Sequence, residues 1–191
     1  MRISLGRGPA GGLLSLAMLL FNAPLAHAEC QLAPAAACAG ADLRGIDGID
    51  RDLSGAKLTG ANLSGAELEG ARLSRADLSQ AKLGAANLRR ADLSGANLSG
   101  AYLRHAHLEG VNLSGADLRG AELNYSLLEG ADLTGADLRG AKLLLVDLRK
   151  VRLEGAKIEG ALWPNNRHCL PGSSGDHCIE EPGTLLSGAP N

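Results

Sequence analysis

Leucine sets the rhythm of this chain. From residue 41 to residue 165 the sequence divides into 25 consecutive pentads without loss of phase, and Leu stands at the centre of 22 of them. Gly48, Ile158 and Trp163 are the exceptions. Ala opens 19 pentads and Gly closes 15, so three of the five positions are strongly restricted while the others carry mostly polar residues. This register excludes both common elements. Five residues of α-helix advance about 500°, which places successive leucines about 140° apart and leaves no apolar stripe. The frequent glycines would cost about 1 kcal/mol each in a helix. A flat strand fails because an odd period sends alternate leucines to opposite faces.

A chain that turns after each pentad keeps every central Leu inside. The opening residue, two before Leu, then points inward as well and must be small to share a narrow interior. Gly in fifth place relieves crowding and backbone limits at the corner. The pattern therefore predicts a narrow coil with an interior of stacked leucines.

Composition sharpens that picture. Apolar residues make up 45 % of the chain and aromatics 2 %, so the core is built of one large and one small residue repeated many times. The segments ADLSG, ANLSG, ADLTG and ADLRG match the A(D/N)LXX motif, and the chain resembles the pentapeptide-repeat family. The resemblance implies a right-handed quadrilateral β-helix with four pentads per coil, hence about six coils. Stacked at about 4.8 Å, they make a rod about 30 Å long.

The ends depart from the register. IDGID at 46–50 has Gly48 where Leu belongs, so residues 29–50 read as an N-terminal cap with the first irregular repeats, ahead of a β-helix over 51–163. Trp163 is too large for a Leu-and-Ala channel and is expected to cap the last coil. Pro164 follows and stops the ladder. Residues 164–191, rich in Pro, Gly, Ser and Asn, read as a tail partly lacking regular structure.

All four cysteines lie outside the 25 pentads. On a rod of about 30 Å the pairs Cys30/Cys38 and Cys169/Cys178 sit at opposite ends, and a disulfide needs Cα atoms within roughly 7 Å. Local pairing, Cys30–Cys38 and Cys169–Cys178, is the expectation. A zinc site from His168-Cys169 and His177-Cys178 is the competing reading, weakened by the adjacency of each His to its Cys.

Residues 1–28 have the layout of a secretory signal peptide. Arg2 and Arg7 form a basic start, residues 13–21 an apolar run, and Ala26-His27-Ala28 a small-residue exit with cleavage expected after Ala28. A run of nine residues falls short of the roughly 20 needed to span a bilayer. Glu29 just before Cys30 argues against lipid attachment there. The expected location is periplasmic or secreted, which also favours disulfides over thiols. Without the leader, 17 basic residues face 21 acidic ones, a charge of −4. That is too mild to imply attraction to nucleic acid or anionic lipid.

Catalysis finds little support in the pattern. Serines fall mostly at the fourth, water-facing position, only His105 and His107 lie within the repeats, and neighbouring acids such as Glu67 and Glu69, or Asp50 and Asp52, lack a pocket on a convex rod. No cofactor, metal or catalytic residue is assigned. Sorted by four, the pentads starting at 61, 81, 101, 121, 141 and 161 form one column that holds Tyr102, Tyr125 and Trp163, with Leu144 and Leu145. His105, Tyr125 and Leu145 should stack at the fifth position of consecutive coils. Tyr102, His105, Tyr125, Leu144 and Leu145 are the candidate contact patch, or else pack on one another or beneath the tail. The expected function is a non-catalytic exported structural or protein-interaction module with an unidentified protein partner. The family's gyrase-protecting members, which resemble duplex DNA, supply an alternative that requires an acidic cytoplasmic rod. Metal or redox work by the Cys/His tail is a third reading.

Overall fold

The computed structural model describes residues 30–166, 168–170 and 172. The expected leader of residues 1–28, its cleavage point, Cys178 and the tail beyond Gly172 lie outside the described residues.

The chain winds into a right-handed four-sided β-helix. Second-position residues of successive coils form parallel bridges with a constant offset of 20 residues, as in Asp52↔Arg72, Arg72↔Asp92 and Asp92↔Asn112. Four pentads therefore close one coil, and a turn follows each bridge. The inward positions are buried throughout. Leu68, Leu88 and Leu108 are fully enclosed in one column, and Ala66, Ala86 and Ala106 beside them. Burial of a leucine contributes about 1.5–3 kcal/mol before chain entropy is subtracted.

The pentad 91–95 shows how the backbone is satisfied. Asp92 N–H donates to Ala71 C=O at 2.9 Å on the coil below, while Leu93 and Gly95 donate to Asn112 and Ser114 at 2.7 and 2.9 Å on the coil above. Ala91 N–H closes the corner on Leu88 C=O at 3.1 Å. Only the fourth amide has no backbone acceptor, and the Asp92 carboxylate takes it, with Ser94 N–H at 3.0 Å. Every Asp and Asn at a second position from Asp42 to Asp147 accepts the amide two residues on in this way. The preference for Asp or Asn in the repeat is thus a side-chain turn that supplies a missing acceptor.

The fifth position lies in the left-handed region. Gly95 has φ +62° and Gly115 +65°, a conformation glycine adopts without steric penalty.

The ladder begins before residue 51. Ala37 bridges Lys57, and Cys38 fills the central position of pentad 36–40, 3 % exposed, with its N–H on Lys57 C=O at 2.8 Å. The 46–50 pentad also keeps register, with Gly48 N–H on Glu67 C=O at 2.7 Å. A Cβ at Gly48 would stand 2.8 Å from Leu68 Cδ2, so the leucine above occupies the space its own side chain leaves. Cys30 and Cys38 lie at bonding distance, with Cα atoms 5.2 Å apart.

At the other end the chain folds back over the last coil. His168 pairs antiparallel with Leu162, Cys169 N–H donates to Ala161 C=O at 3.0 Å, and Gly160 N–H donates to Cys169 C=O at 2.6 Å. Cys169 is buried. Trp163 is partly buried and packs against the end of the core. No helix among the described residues is long and apolar enough to cross a membrane.

Candidate functional site

Several corners lack glycine, Asp50, Arg75, Gln80, Arg90 and Lys150 among them, and at one corner such residues are stacked without interruption. In the column starting at 81, 101, 121 and 141, fifth place holds Ala85, His105, Tyr125 and Leu145 with φ between +54° and +64°. Left-handed backbone costs an L-residue with a Cβ roughly 1–2 kcal/mol. Four successive coils carry that cost where glycine would avoid it. The sequence placed His105 and Tyr125 one above the other, and their rings stack, centroids 5.1 Å apart and planes 9° from parallel. Such a contact contributes about 0.5–1.5 kcal/mol, which partly offsets the strain.

The corner is apolar and open. Tyr102 is 44 % exposed, Tyr125 38 %, Leu127 44 % and Leu145 65 %. Tyr102 sits on the flat face before the corner and Leu127 on the face after it, so the four side chains run across three coils. Leu144 is only partly exposed, and its N–H takes Asn124 Oδ1 at 2.9 Å, which replaces the Asp or Asn missing from its own pentad. Leu127 was not singled out from the sequence; its second place in SLLEG, where most pentads have a polar residue, is the signal that marks it.

The ladder loosens beside this corner. Leu127 and Asp147 keep bridge register, but neither Leu128 N–H to Asp147 C=O nor Asp147 N–H to Ser126 C=O reaches hydrogen-bond geometry. Gly130 N–H to Arg149 C=O is stretched to 3.5 Å. Ser126, in place of the usual Ala, is 1 % exposed and its Oγ has no partner. The inward step from Ser126 to the β-branched Val146 coincides with the separation.

Charges around the corner are mostly paired within the rod. Lys142 meets Glu122 at 2.7 Å and Lys150 meets Glu129 at 2.8 Å. Arg149 binds the Asp147 carboxylate and holds it below the usual range. Arg104 has no acidic partner among the described residues; its guanidinium lies 5.9 Å from the Tyr125 ring centroid.

A second cluster lies on the adjacent face. Arg89 donates to Glu109 Oε1 at 2.9 Å and to His107 Nδ1 at 2.7 Å, leaving that ring nitrogen the acceptor. Burial alone would raise the Glu109 pKa, but its own backbone amide and Arg89 outweigh burial and lower it. The carboxylate is therefore an ionised, committed partner of Arg89 and not a proton carrier near neutrality. Among the described residues no group of three or more His, Cys, Asp or Glu is placed to hold a metal ion. Of the tail groups weighed for zinc, His168 and Cys169 sit in the strap across the last coil, and His177 and Cys178 lie outside the described residues.

The model of the family described as pentapeptide repeats, eight copies, matches residues 52–90, 86–124 and 126–162. The chain belongs to the pentapeptide-repeat family. Among solved structures it is similar to Rfr23 from the cyanobacterium Cyanothece 51142, with 29 % identity over 66 % of this chain and 90 % of that one, TM-score 0.34. HetL from Nostoc sp. strain PCC 7120, involved in regulation of heterocyst differentiation, is 34 % identical over 69 % of this chain and 74 % of that one, TM-score 0.27. QnrB1, a plasmid-mediated fluoroquinolone resistance protein, is 25 % identical over 58 % of this chain and 54 % of that one, TM-score 0.42. No curated protein matches the chain. Pentapeptide-repeat proteins are in general structural or interaction modules. Residues other than glycine also close pentads at Asp50, Arg75, Gln80, Arg90 and Lys150, but at the Tyr125 corner four of them are stacked on successive coils.

Proposed function

We propose that this pentapeptide-repeat protein is an exported, non-catalytic module that holds a protein partner against the corner formed by Tyr102, His105, Tyr125, Leu127 and Leu145. The observation that carries this reading is the strained column. Ala85, His105, Tyr125 and Leu145 keep left-handed backbone without glycine, and the two largest members plus Tyr102 and Leu127 present apolar surface to solvent. Strain retained where a simpler residue relieves it is a mark of a functional position, and aromatic side chains are enriched in interface cores.

Export is supported by the basic, apolar and small-residue succession of residues 1–28 and by Cys30 and Cys38 lying at bonding distance. Imitation of duplex DNA requires rows of uncompensated acid. Here Asp117 and Asp137 are each neutralised by the arginine two residues on, at 2.6 Å, which favours a partner that reads apolar surface instead.

The test has two parts, on protein taken from its native cells. An intact, non-reducing mass that begins at Glu29 and lies four hydrogens light supports export and two disulfides; a chain that retains residues 1–28 with four thiols contradicts it. Partner capture should then fail for Tyr125→Ala and Leu145→Ala and persist for Asn112→Ala on the opposite face. Equal capture by all three variants would remove the corner from consideration.

A further inference from the structure

The flat face that leads into the corner is cationic on a chain that is acidic overall. The sequence has 21 acidic and 19 basic residues. Between residues 81 and 145, however, the pentads of this face hold Lys82, Arg104 and Lys142 against the single acid Glu122. Lys142 and Glu122 neutralise one another at 2.7 Å. Lys82 and Arg104 are exposed and have no acidic partner among the described residues. Their placement is specific: Lys82 is bridged to Tyr102 on the next coil, and the Arg104 guanidinium lies 5.9 Å from the Tyr125 ring centroid. Two uncompensated cations thus flank the lower end of an apolar strip that rises through Tyr102, Tyr125 and Leu145.

The backbone limits how a partner attaches here. Tyr102 N–H is on Ala81 C=O at 2.9 Å, Leu103 N–H on Glu122 C=O at 2.8 Å, and Tyr125 N–H on Leu144 C=O at 3.0 Å. The fourth-place N–H groups of Gly84, Arg104 and Asn124, whose pentads lack Asp or Asn in second place, have no acceptor among the described residues, but one such N–H per coil makes no continuous edge for strand addition. Recognition runs mainly through side chains.

We infer that the corner takes an aliphatic protein segment bearing a carboxylate, with the apolar side chains on Tyr125, Leu127 and Leu145 and the carboxylate between Arg104 and Lys82. This rests on the corner being the interaction surface proposed above. Arginine beside an aromatic face offers a planar donor pair that a carboxylate accepts in two bonds. An apolar segment without an acid would leave both cations facing a low-dielectric contact unpaired. A second acidic residue is not required, because Lys142 is already occupied by Glu122.

The probes are two synthetic peptides, acetyl-Leu-Leu-Glu-Leu-amide and its Gln counterpart, titrated into the full chain while the Tyr102, Tyr125 and Leu145 resonances are followed. The Glu peptide should bind about five- to tenfold more tightly at low salt. That preference should vanish at high salt and in the Lys82→Gln/Arg104→Gln protein, whose corner still binds the Gln peptide. Equal binding of both peptides by the unaltered protein overturns the carboxylate inference and leaves the corner standing. A Glu preference that survives loss of both cations overturns it too. If neither peptide moves the corner resonances, the inference and the interaction surface fall together.

Discussion

The Asp77 carboxylate accepts two bonds from Ser79, one from its backbone N–H at 3.1 Å and one from its hydroxyl at 2.7 Å. The same local turn recurs wherever Asp or Asn stands second in a pentad, and it explains why the motif specifies those residues at a position whose side chain faces water. The fourth amide would otherwise lack an acceptor within the coil. Asp92→Ala should therefore destabilise the rod by about 1 kcal/mol. Lys57→Ala, at the same position of a pentad without that turn, should stay within about 0.5 kcal/mol. Urea unfolding of the two variants side by side checks this.

These turns also set the acid limit of the fold. Bonds from Ser54, Ser79 and Thr134 lower the pKa values of Asp52, Asp77 and Asp132, and those from Arg119, Arg139 and Arg149 lower Asp117, Asp137 and Asp147. A carboxylate depressed in the folded state contributes stability above its unfolded pKa, near 3.9, and loses it as pH falls through the folded value. The urea midpoint should be flat from about pH 7 to 5 and fall steadily below about pH 4. A midpoint that rises on acidification would show that these aspartates are not held ionised by their partners.

Ser126→Ala should stabilise the protein. The hydroxyl is buried without a partner, and an unsatisfied buried donor costs about 1–3 kcal/mol, whereas Ala is the residue that the coil buries at this position elsewhere. A higher melting temperature is expected; a lower one would mean that the hydroxyl is bonded in solution.

Leu145→Gly separates folding from binding. Leu145 is 65 % exposed at φ +56°, so glycine removes little buried surface and relieves the left-handed backbone. Stability should rise by about 1 kcal/mol while partner capture falls. Loss of both properties would make Leu145 a packing residue.

Amide exchange should map the loosened rung. Leu88, Leu93 and Leu98 donate to the next coil at 2.7–2.8 Å and should be among the slowest amides. Leu128 is equally buried but lacks its bond, so its amide and that of Asp147 should exchange orders of magnitude faster.

Much of this was legible because a period of five admits so few solutions. The inward Leu and Ala and the turn at fifth place follow from the register, whereas the alignment of His105 with Tyr125 also needs four pentads per coil. The four-sidedness came from resemblance to the pentapeptide-repeat family, since spacing alone does not count corners, and the constant 20-residue bridge offset supplies it. The start of the coil was hidden because Cys38, not Leu, fills the centre of pentad 36–40. Gly48 looked like a break because a missing side chain is visible in sequence, while Leu68 filling its space from the coil above is not. The strap at His168 and Cys169 has no periodic signal, being a single antiparallel pairing. Leu127 falls outside the column of Tyr102 and Tyr125 because the exposed patch wraps the corner onto the next face. The stretched rung at Ser126 depends on an inward step to Val146 one coil away.

The most direct test of the account is site-specific photo-crosslinking in native cells, with benzoylphenylalanine placed at Tyr125 or, on the opposite face, at Asn112. The corner reading predicts one adduct of defined mass from position 125, lost when Leu127 and Leu145 are also changed to Ala, and none from position 112. No adduct at 125, or the same adducts from both faces, would contradict it.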